Sequence, residues 1–387
     1  MTHGMSGAVA ERQVAKCRLV SSIVFLTAFV AGICMEPAGS YSQSRDTVRV
    51  CFAGDVMLAR GVNGMIRKKG EAFLFEKIRP ALSRYKYRFI NLECPLTPLS
   101  YPPNKPYSFR ADTGYIGILT AAGITHASLA NNHIDDQTVK GAGDTYRVLE
   151  KNGIVPLGLK SVKDSICRPA ELVLNGRRVA VFAALGLVMG SPNVWYCLDT
   201  LFLKSITAFK HDTPSAFVIC YLHWGTEYRR FPSQEQEEIA GKLTAAGADM
   251  IIGHHPHVVE SIRYYRGRPI LFSLGNLIFD QHDRDARRGI IAGLTFRDGA
   301  VQIDIIPYDI VEDRPVPMES GERLRFKRTL LGLSPDISLV DDGDGWTVKE
   351  TKPRRSRDPD STGRRIFHRK GMGDSFSPPS TGSRKLR

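Results

Sequence analysis

The chain has no CxxC pair. Its seven cysteines, at positions 17, 34, 51, 94, 167, 197 and 220, are scattered over 387 residues without the density of a disulfide-stapled fold. A chain of this length needs no such staples. Cys51 and Cys220 fall inside apolar, strand-like runs and read as buried thiols. Internal repeats are missing, which excludes a solenoid or propeller. A P-loop is missing too, and the isolated glycines form no dinucleotide fingerprint after a strand. The folded part also lacks a strong charge of one sign. The chain carries +13, but from Thr351 onward 11 Lys/Arg face 3 Asp/Glu, and the first 46 residues add +1. That leaves only +4 between, too little for a general nucleic-acid binder.

What is present is enough apolar content, 42%, to bury one large core. The N-terminus carries Arg12, Lys16 and Arg18, an apolar run from Leu19 to about Met35, and then Pro37-Ala38-Gly39-Ser40. A basic flank, a short hydrophobic stretch and a small-residue exit predict an export signal or membrane anchor over residues 1–46. Cys34 is a weak lipidation site because Ile33 precedes it. Beyond about Asp341 the chain is rich in Arg, Ser, Pro, Gly and Asp and is expected to be a disordered basic tail. The expected organisation is therefore leader 1–46, one domain 47–315, and an extension with tail 316–387.

Within the domain, VRVCFAG (48–54), YRFINLE, ITHASLA (124–130) and GIVPLGL read as strands, the last short and buried, with helices over 71–84, 113–122 and 139–152. ELVLN and RRVAVFAAL flank Asn175-Gly176, a strong hairpin signal. SAFVICYLHWG (215–225) is a buried strand. Ser233 and Gln236 have capping-box spacing ahead of a helix that Gly247 stops. Further strands follow, one pair turning at Arg297-Asp298-Gly299. Strand–helix alternation followed by hairpins predicts two mixed sheets packed together with helices outside.

Five polar segments sit where strands run out: GDVMLAR from Gly54, NLECPLT from Asn91, NNHIDD from Asn131, HWGTEY from His223 and GHHPH from Gly253. Asp, Glu, Asn and His brought to one sheet edge make the donor set of a hard-to-borderline divalent metal. Alone, Asp55 suits a helix cap, and a single histidine such as His223 is more often structural than ligating. The common strand-end placement is what points to a shared site. In His255-Pro256-His257 two imidazoles can reach adjacent ligand positions, whereas strand alternation is expected to turn His254 away. Glu93 shares a strand tip with Asn91, Asn132 offers an amide oxygen beside His133, and Glu227 is expected to support His223. Cys94 is adjacent to Glu93 without being read as a ligand.

These segments, with FRAD from Phe109, HPHVVE from His255 and SLGNLIFDQ from Ser273, resemble the bacterial capsule-synthesis CapA family, a branch of the calcineurin-like metallophosphoesterases. The resemblance runs from about Val48 to Ile310. It implies an α/β four-layer sandwich, two mixed β-sheets flanked by helices, with a two-metal centre at the sheet edge. Asp55 would bind the first metal and Glu93 would bridge. Asn132, His223 and His255 would serve the second, and His257 would return to the first. His133 would be the acid or electrostatic group. One or two divalent ions are implied, with Mn, Fe, Zn and Mg not distinguished. Three departures stand out. Met57 occupies the position of a second histidine ligand, and a thioether is a poor donor to Mn²⁺ or Mg²⁺. Glu93 replaces the wider superfamily's aspartate, and Glu260 stands where the branch often has Gln.

The expected activity is that of an extracytoplasmic metal-dependent hydrolase or transferase on an anionic cell-envelope polymer, poly-γ-glutamate or a related capsule. Arg60 and Arg110 are candidates to hold that substrate. The competing expectation is a membrane-tethered, non-enzymatic accessory protein with a vestigial metal site. Either would meet the membrane and capsule-synthesis partner proteins, and nucleic acid is not an expected partner.

Overall fold

The structure, a computed structural model, describes residues 47–351 except 103, 104, 162, 188–191, 197, 298 and 299. The expected leader over 1–46 and the tail beyond residue 351 lie outside the described residues, as do Cys197 and the Asp298-Gly299 tip.

The chain opens with β1 (Arg49–Val56), α1 (Arg60–Lys69), α2 (Arg79–Leu82), β2 (Tyr87–Leu92), α3 (Ile116–Ala121), β3 (His126–Ser128), α4 (Thr138–Lys151) and β4 (Val155–Leu157). β1 to β4 are paired in parallel, which needs a crossover after every strand. Val62, Ile66, Ile118, Leu119 and Leu149 are the helical residues buried in those crossovers. The hairpin β5 (Ala170–Leu174) and β6 (Arg177–Gly186) follows. Asn175 and Gly176 take φ of 52° and 83°, as a type I′ turn requires. Next come α5 (Thr200–Asp212), β7 (Phe217–Trp224), α6 (Gln234–Ala246), β8 (Met250–His254), β9 (Ile262–Tyr265) and β10 (Arg268–Leu271). They complete a second sheet ordered β5-β6-β7-β8-β10-β9.

The chain then returns to the first sheet with β11 (Asn276–Ile278), β12 (Arg288–Arg297), β13 (Ala300–Val311), β14 (Arg314–Pro317), α7 (Ser320–Leu333), β15 (Ile337–Asp341) and β16 (Trp346–Glu350). That sheet runs β15-β16-β13-β12-β1-β2-β3-β4, with β11 pairing β1 and β14 pairing β13. The expected architecture, two mixed sheets with helices outside, is the one observed.

The period of two along each strand sorts side chains between two cores. In β7, Phe217, Ile219 and Tyr221 join the core between the sheets, while Val218, Cys220, Leu222 and Trp224 join the core under α5 and α6. Tyr221 also hydrogen-bonds the Ala53 carbonyl of β1, tying sheet to sheet. Each fully buried Leu, Ile or Phe in these layers contributes about 1.5–3 kcal/mol relative to exposure. α6 forms the expected capping box, Ser233 and Gln236 bonding each other's backbone N–H, and Gly247 ends it at φ 116°.

Several expectations need correction. The helix expected over 71–84 is a 3₁₀ turn, Glu71–Leu74, followed by the separate short α2. Pro80 has no N–H and its ring collides with the carbonyl four residues back, so it starts a helix instead of continuing one. α1 is a helix that the sequence pattern did not reveal. β4 is an edge strand with Val155 exposed, not a buried one. The fold also continues past residue 315: α7 buries Phe326 and Leu330, and β16 pairs with β13 through Ile303↔Val348. This hairpin covers the open edge of β13. Its apolar signal is sparse because only one face is buried.

Candidate metal centre

Asp55, Glu93, Asn131 to His133, His223 and His254 to His257 all lie at the carboxyl ends of strands in the two facing sheets. Gly54 makes the close approach possible at the end of β1. A Cβ there would sit 1.6 Å from the Gly275 carbonyl oxygen, just before β11. Asp55 is thereby registered against Asn91 on one side and Asn276 on the other. His255 and His257 leave β8 with φ of 100° and 59°. That left-handed backbone is costly for a non-glycine residue, and here it swings both rings towards the carboxylates.

The donors form three overlapping triads, each with ligand atoms within 4.8 Å of one another: Asp55–Glu93–His257, Glu93–His223–His255 and Asp55–His223–His254. Glu93 Oε1 lies 3.8 Å from His257 Nε2, 4.0 Å from His223 Nε2 and 4.0 Å from His133 Nε2. Asn132 Oδ1 is 2.8 Å from His223 Nε2. All six ligands expected from sequence are brought together.

His254 is not turned away. β8 extends through it, so it shares the inter-sheet side with Ile252, opposite Ile251, and its Nδ1 lies 3.5 Å from Asp55 Oδ1. Met57 is buried in the core, its sulfur accepting the Ala59 N–H at 3.1 Å. The Cys94 thiol likewise accepts the Leu58 N–H at 3.3 Å, and burial pushes it up to about 12. Both sulfurs brace the turn beneath the centre. Cys51, Cys94, Cys167 and Cys220 are all buried.

The electrostatics fit a cation. Both Glu93 oxygens are buried without a hydrogen-bond partner, as is His255 Nδ1. Two ligands about 2.1 Å from one ion stand roughly 3–3.5 Å apart, close to the spacing seen here. Burial, and then the negative charge of Asp55, hold the Glu93 carboxyl well above its ordinary range. Burial also opposes ionisation of Asp55, but the His257 hydrogen bond, the charges of His254 and His257 and the Asn91 amide bring it down to about 2. Burial lowers His223 far below the imidazole range, and with His257 nearby lowers His255 to about 3. Neutral His223 and His255 and ionised Asp55 are ligating forms, whereas at His257 burial is outweighed by Asp55 and Glu227, which raise it, so it must release its proton to bind an ion.

His133 is set at the lip. It stacks on Phe109 with centroids 4.1 Å apart, and its Nδ1 lies 2.8 Å from Asp136 Oδ2. Lys105 pairs with the other Asp136 oxygen and donates to the Asn132 carbonyl at 2.6 Å. Burial lowers His133, partly countered by Asp136. Asn91 was noted in the sequence for sharing the strand tip of Glu93, but Asp136, Lys105, Asn131 and Asn276 were not singled out. Of these, Asn131 and Asp136 left a signal, within NNHIDD on either side of His133. Asn91 Nδ2 donates to Asp55 Oδ1 at 2.8 Å, and Asn276 Oδ1 lies 2.9 Å from His257 Nδ1. These amides orient the ligands from behind.

The two arginines separate. Arg60 pairs with Asp280 at 3.1 Å and lies over the Phe109 and Tyr107 rings at 5.5 and 5.8 Å, one ring away from His133. Arg110 is exposed, with no hydrogen bond or ion pair among the described residues. Glu227 is exposed and acts on Glu93 and His257 only through its charge.

Fold and site together define a two-sheet α/β sandwich whose histidine–carboxylate cluster suits a divalent metal. The model of the bacterial capsule synthesis protein PGA_cap family matches residues 49–281. The chain belongs to that family. It is 28% identical to the PGA biosynthesis protein CapA of Bacillus subtilis, over 80% of this chain and 82% of that one. It is 30% identical to the capsule biosynthesis protein CapA of Bacillus anthracis, over 80% and 78%. A probable polyglutamine synthesis accessory protein of Mycobacterium tuberculosis shows 26% identity over 61% of this chain and 75% of its own.

Glu260 is wholly buried. Its Oε2 accepts from Gln236 Nε2 at 3.0 Å while Oε1 has no partner. Burial raises this carboxyl from 4.5 to about 8. The unfolded carboxyl ionises from pH 4.5 upward while the folded one keeps its proton, so stability present below pH 4.5 is lost as pH rises towards 8. Glu260→Gln keeps the acceptor for Gln236 and removes the titration. In chelator, urea unfolding is expected to show the variant more stable by about 2–3 kcal/mol at pH 7. The gain should vanish near pH 4.5, and a gain independent of pH would show that another cause operates.

Proposed function

We propose that this protein is an extracytoplasmic metal-dependent hydrolase or transferase acting in synthesis, release or anchoring of a capsule polymer of the poly-γ-glutamate type. The observation that carries the reading is Glu93: a buried carboxylate with no hydrogen bond, ringed by imidazoles, beside a His133–Asp136 pair that no metal ligation requires. Asp55, Glu93 and His257 would hold one ion, and Glu93, Asn132, His223 and His255 another. Bound there, a divalent ion would supply Lewis acidity towards a phosphoryl or carbonyl oxygen and acidify water. Asp136 fixes the Nδ1 hydrogen of His133, which leaves Nε2 facing the centre to exchange a proton with the reacting group. Arg60, displaced from Asp280, can take an anionic substituent of the chain, with Phe109 and Tyr107 walling the approach.

The test is turnover by the full chain loaded with Mn²⁺, Fe²⁺ or Zn²⁺, on bis-p-nitrophenyl phosphate and on poly-γ-glutamate, read as nitrophenolate release and chain shortening. Metal-dependent turnover on either is expected. Its absence on both with all three metals would overturn the hydrolase reading. That result would leave the second reading, a non-enzymatic accessory of capsule assembly. Met57 favours it, since its sulfur is engaged by Ala59 and supplies no donor at that position.

A further inference from the structure

We propose that His254 is a positioning residue for the metal centre: its Nδ1 accepts the His223 Nδ1–H, holding His223 in the tautomer whose Nε2 lone pair faces Asn132, Glu93 and the ion. The proposal rests on the metal-centre reading above.

An imidazole that gives one nitrogen's lone pair to a cation carries its hydrogen on the other, and the partner of that hydrogen orients the ring. His223 Nε2 is on the ligand side, where without an ion it donates to Asn132 Oδ1 at 2.8 Å; once an ion takes its lone pair, Nδ1 must donate. Three groups surround it: Asn91 Nδ2 at 3.2 Å, His254 Nδ1 at 2.8 Å and Asp55 Oδ1 at 4.0 Å. Asn91 offers its amide nitrogen, which has no lone pair to accept with. Its orientation is tied to the backbone. Asn91 Oδ1 accepts from Asn131 Nδ2, which also donates to the Leu92 carbonyl, and Asn131 Oδ1 accepts the His133 N–H. Asp55 Oδ1 is beyond hydrogen-bond reach. His254 Nδ1 is the acceptor that remains.

The consequence falls on His254 itself. With Nδ1 accepting, its hydrogen sits on Nε2, and that nitrogen is buried without a partner. A side chain present only to fill the space edge-on to the Tyr221 ring, 4.6 Å away between centroids, would be apolar and carry no such unpaired group. Without an ion the pair can hold the opposite arrangement, His254 donating to His223 and His223 Nε2–H donating to Asn132. Loading an ion then moves the hydrogen within each ring.

The test compares His254→Leu and His254→Asn in the full chain, with Zn²⁺ affinity measured by competition against a chromophoric chelator and metal-free melting recorded alongside. Asparagine places an oxygen near the position of Nδ1, whereas leucine offers no acceptor. His254→Leu is expected to weaken Zn²⁺ binding 10- to 100-fold, and His254→Asn to stay within about threefold of the parent. If the leucine variant is not recovered folded, His254→Phe, closer to imidazole in shape, takes its place. Parent-like affinity in the folded leucine or phenylalanine variant overturns the proposal. So does equal weakening in the asparagine variant, which would leave a packing role. A parent chain that binds no Zn²⁺ instead removes the metal-centre reading, and this proposal with it.

Discussion

Glu93→Gln is expected to stabilise the metal-free protein and to abolish its stabilisation by metal. Without an ion the Glu93 carboxyl is held well above its ordinary 4.5 by burial and by Asp55. Stability present below pH 4.5 is therefore lost as pH rises towards the folded value, and a neutral amide removes that loss. With an ion the balance reverses. Glu93, like Asp55 and His223, belongs to two of the three ligand triads, so its ionised form is positioned to bind on both sides of the centre. An ion at a thousand times its Kd stabilises by about 4 kcal/mol, and the glutamine variant should gain almost none of it. Thermal melting at pH 7.5 with Mn²⁺ and then with chelator reads both halves. The parent and variant curves should cross between the two conditions. Equal metal-induced shifts in the two proteins would remove Glu93 from the centre.

The second large effect is on rate. His133→Ala should lower metal-dependent turnover by about 10²–10⁴ while metal content stays at the parent level. The separation follows from geometry. His133 Nε2 stands 4.0 Å from Glu93 Oε1, yet His133 belongs to none of the three ligand triads. Asp136→Asn should fall between parent and His133→Ala, because an amide can still contact Nδ1 but no longer supplies a carboxylate to fix its hydrogen. Activity is read on whichever substrate the loaded parent turns over, and metal by elemental analysis of the same samples. If metal disappears together with activity, His133 is a ligand and the assignment of an acid–base role fails.

The convergence of most candidate donors was legible because they sit where strands run out, and a strand end in a parallel sheet has a predictable address. Asp55, Glu93, His223, His255 and His257 each follow an apolar run, and placing those runs in one sandwich suffices to gather them. The hairpin at Asn175-Gly176 and the capping box at Ser233 were legible for a related reason, since their chemistry is local and closes within four residues. His254 was misread because strand alternation was carried through to His255, whereas β8 ends at His254 and His255 leaves it with φ of 100°, so neighbouring rings can face one site. Arg60 and Arg110 looked equivalent in sequence. Only the neighbouring loop, with Asp280 and the Phe109 ring, distinguishes them.

By itself the sequence determined the two-sheet class and the placing of Asp55, Glu93, His223, His255 and His257 where strands run out, since these depend on composition and on short-range periodicity. Tertiary structure alone decided three further things: that Glu93 is buried with no donor to bond it, that Lys105 stands behind the His133–Asp136 pair, and that His254 lies against His223. Each is a contact between segments far apart in the chain or a burial set by the facing sheet. Spacing along a strand fixes which way a side chain points, but not which group from another strand it will meet.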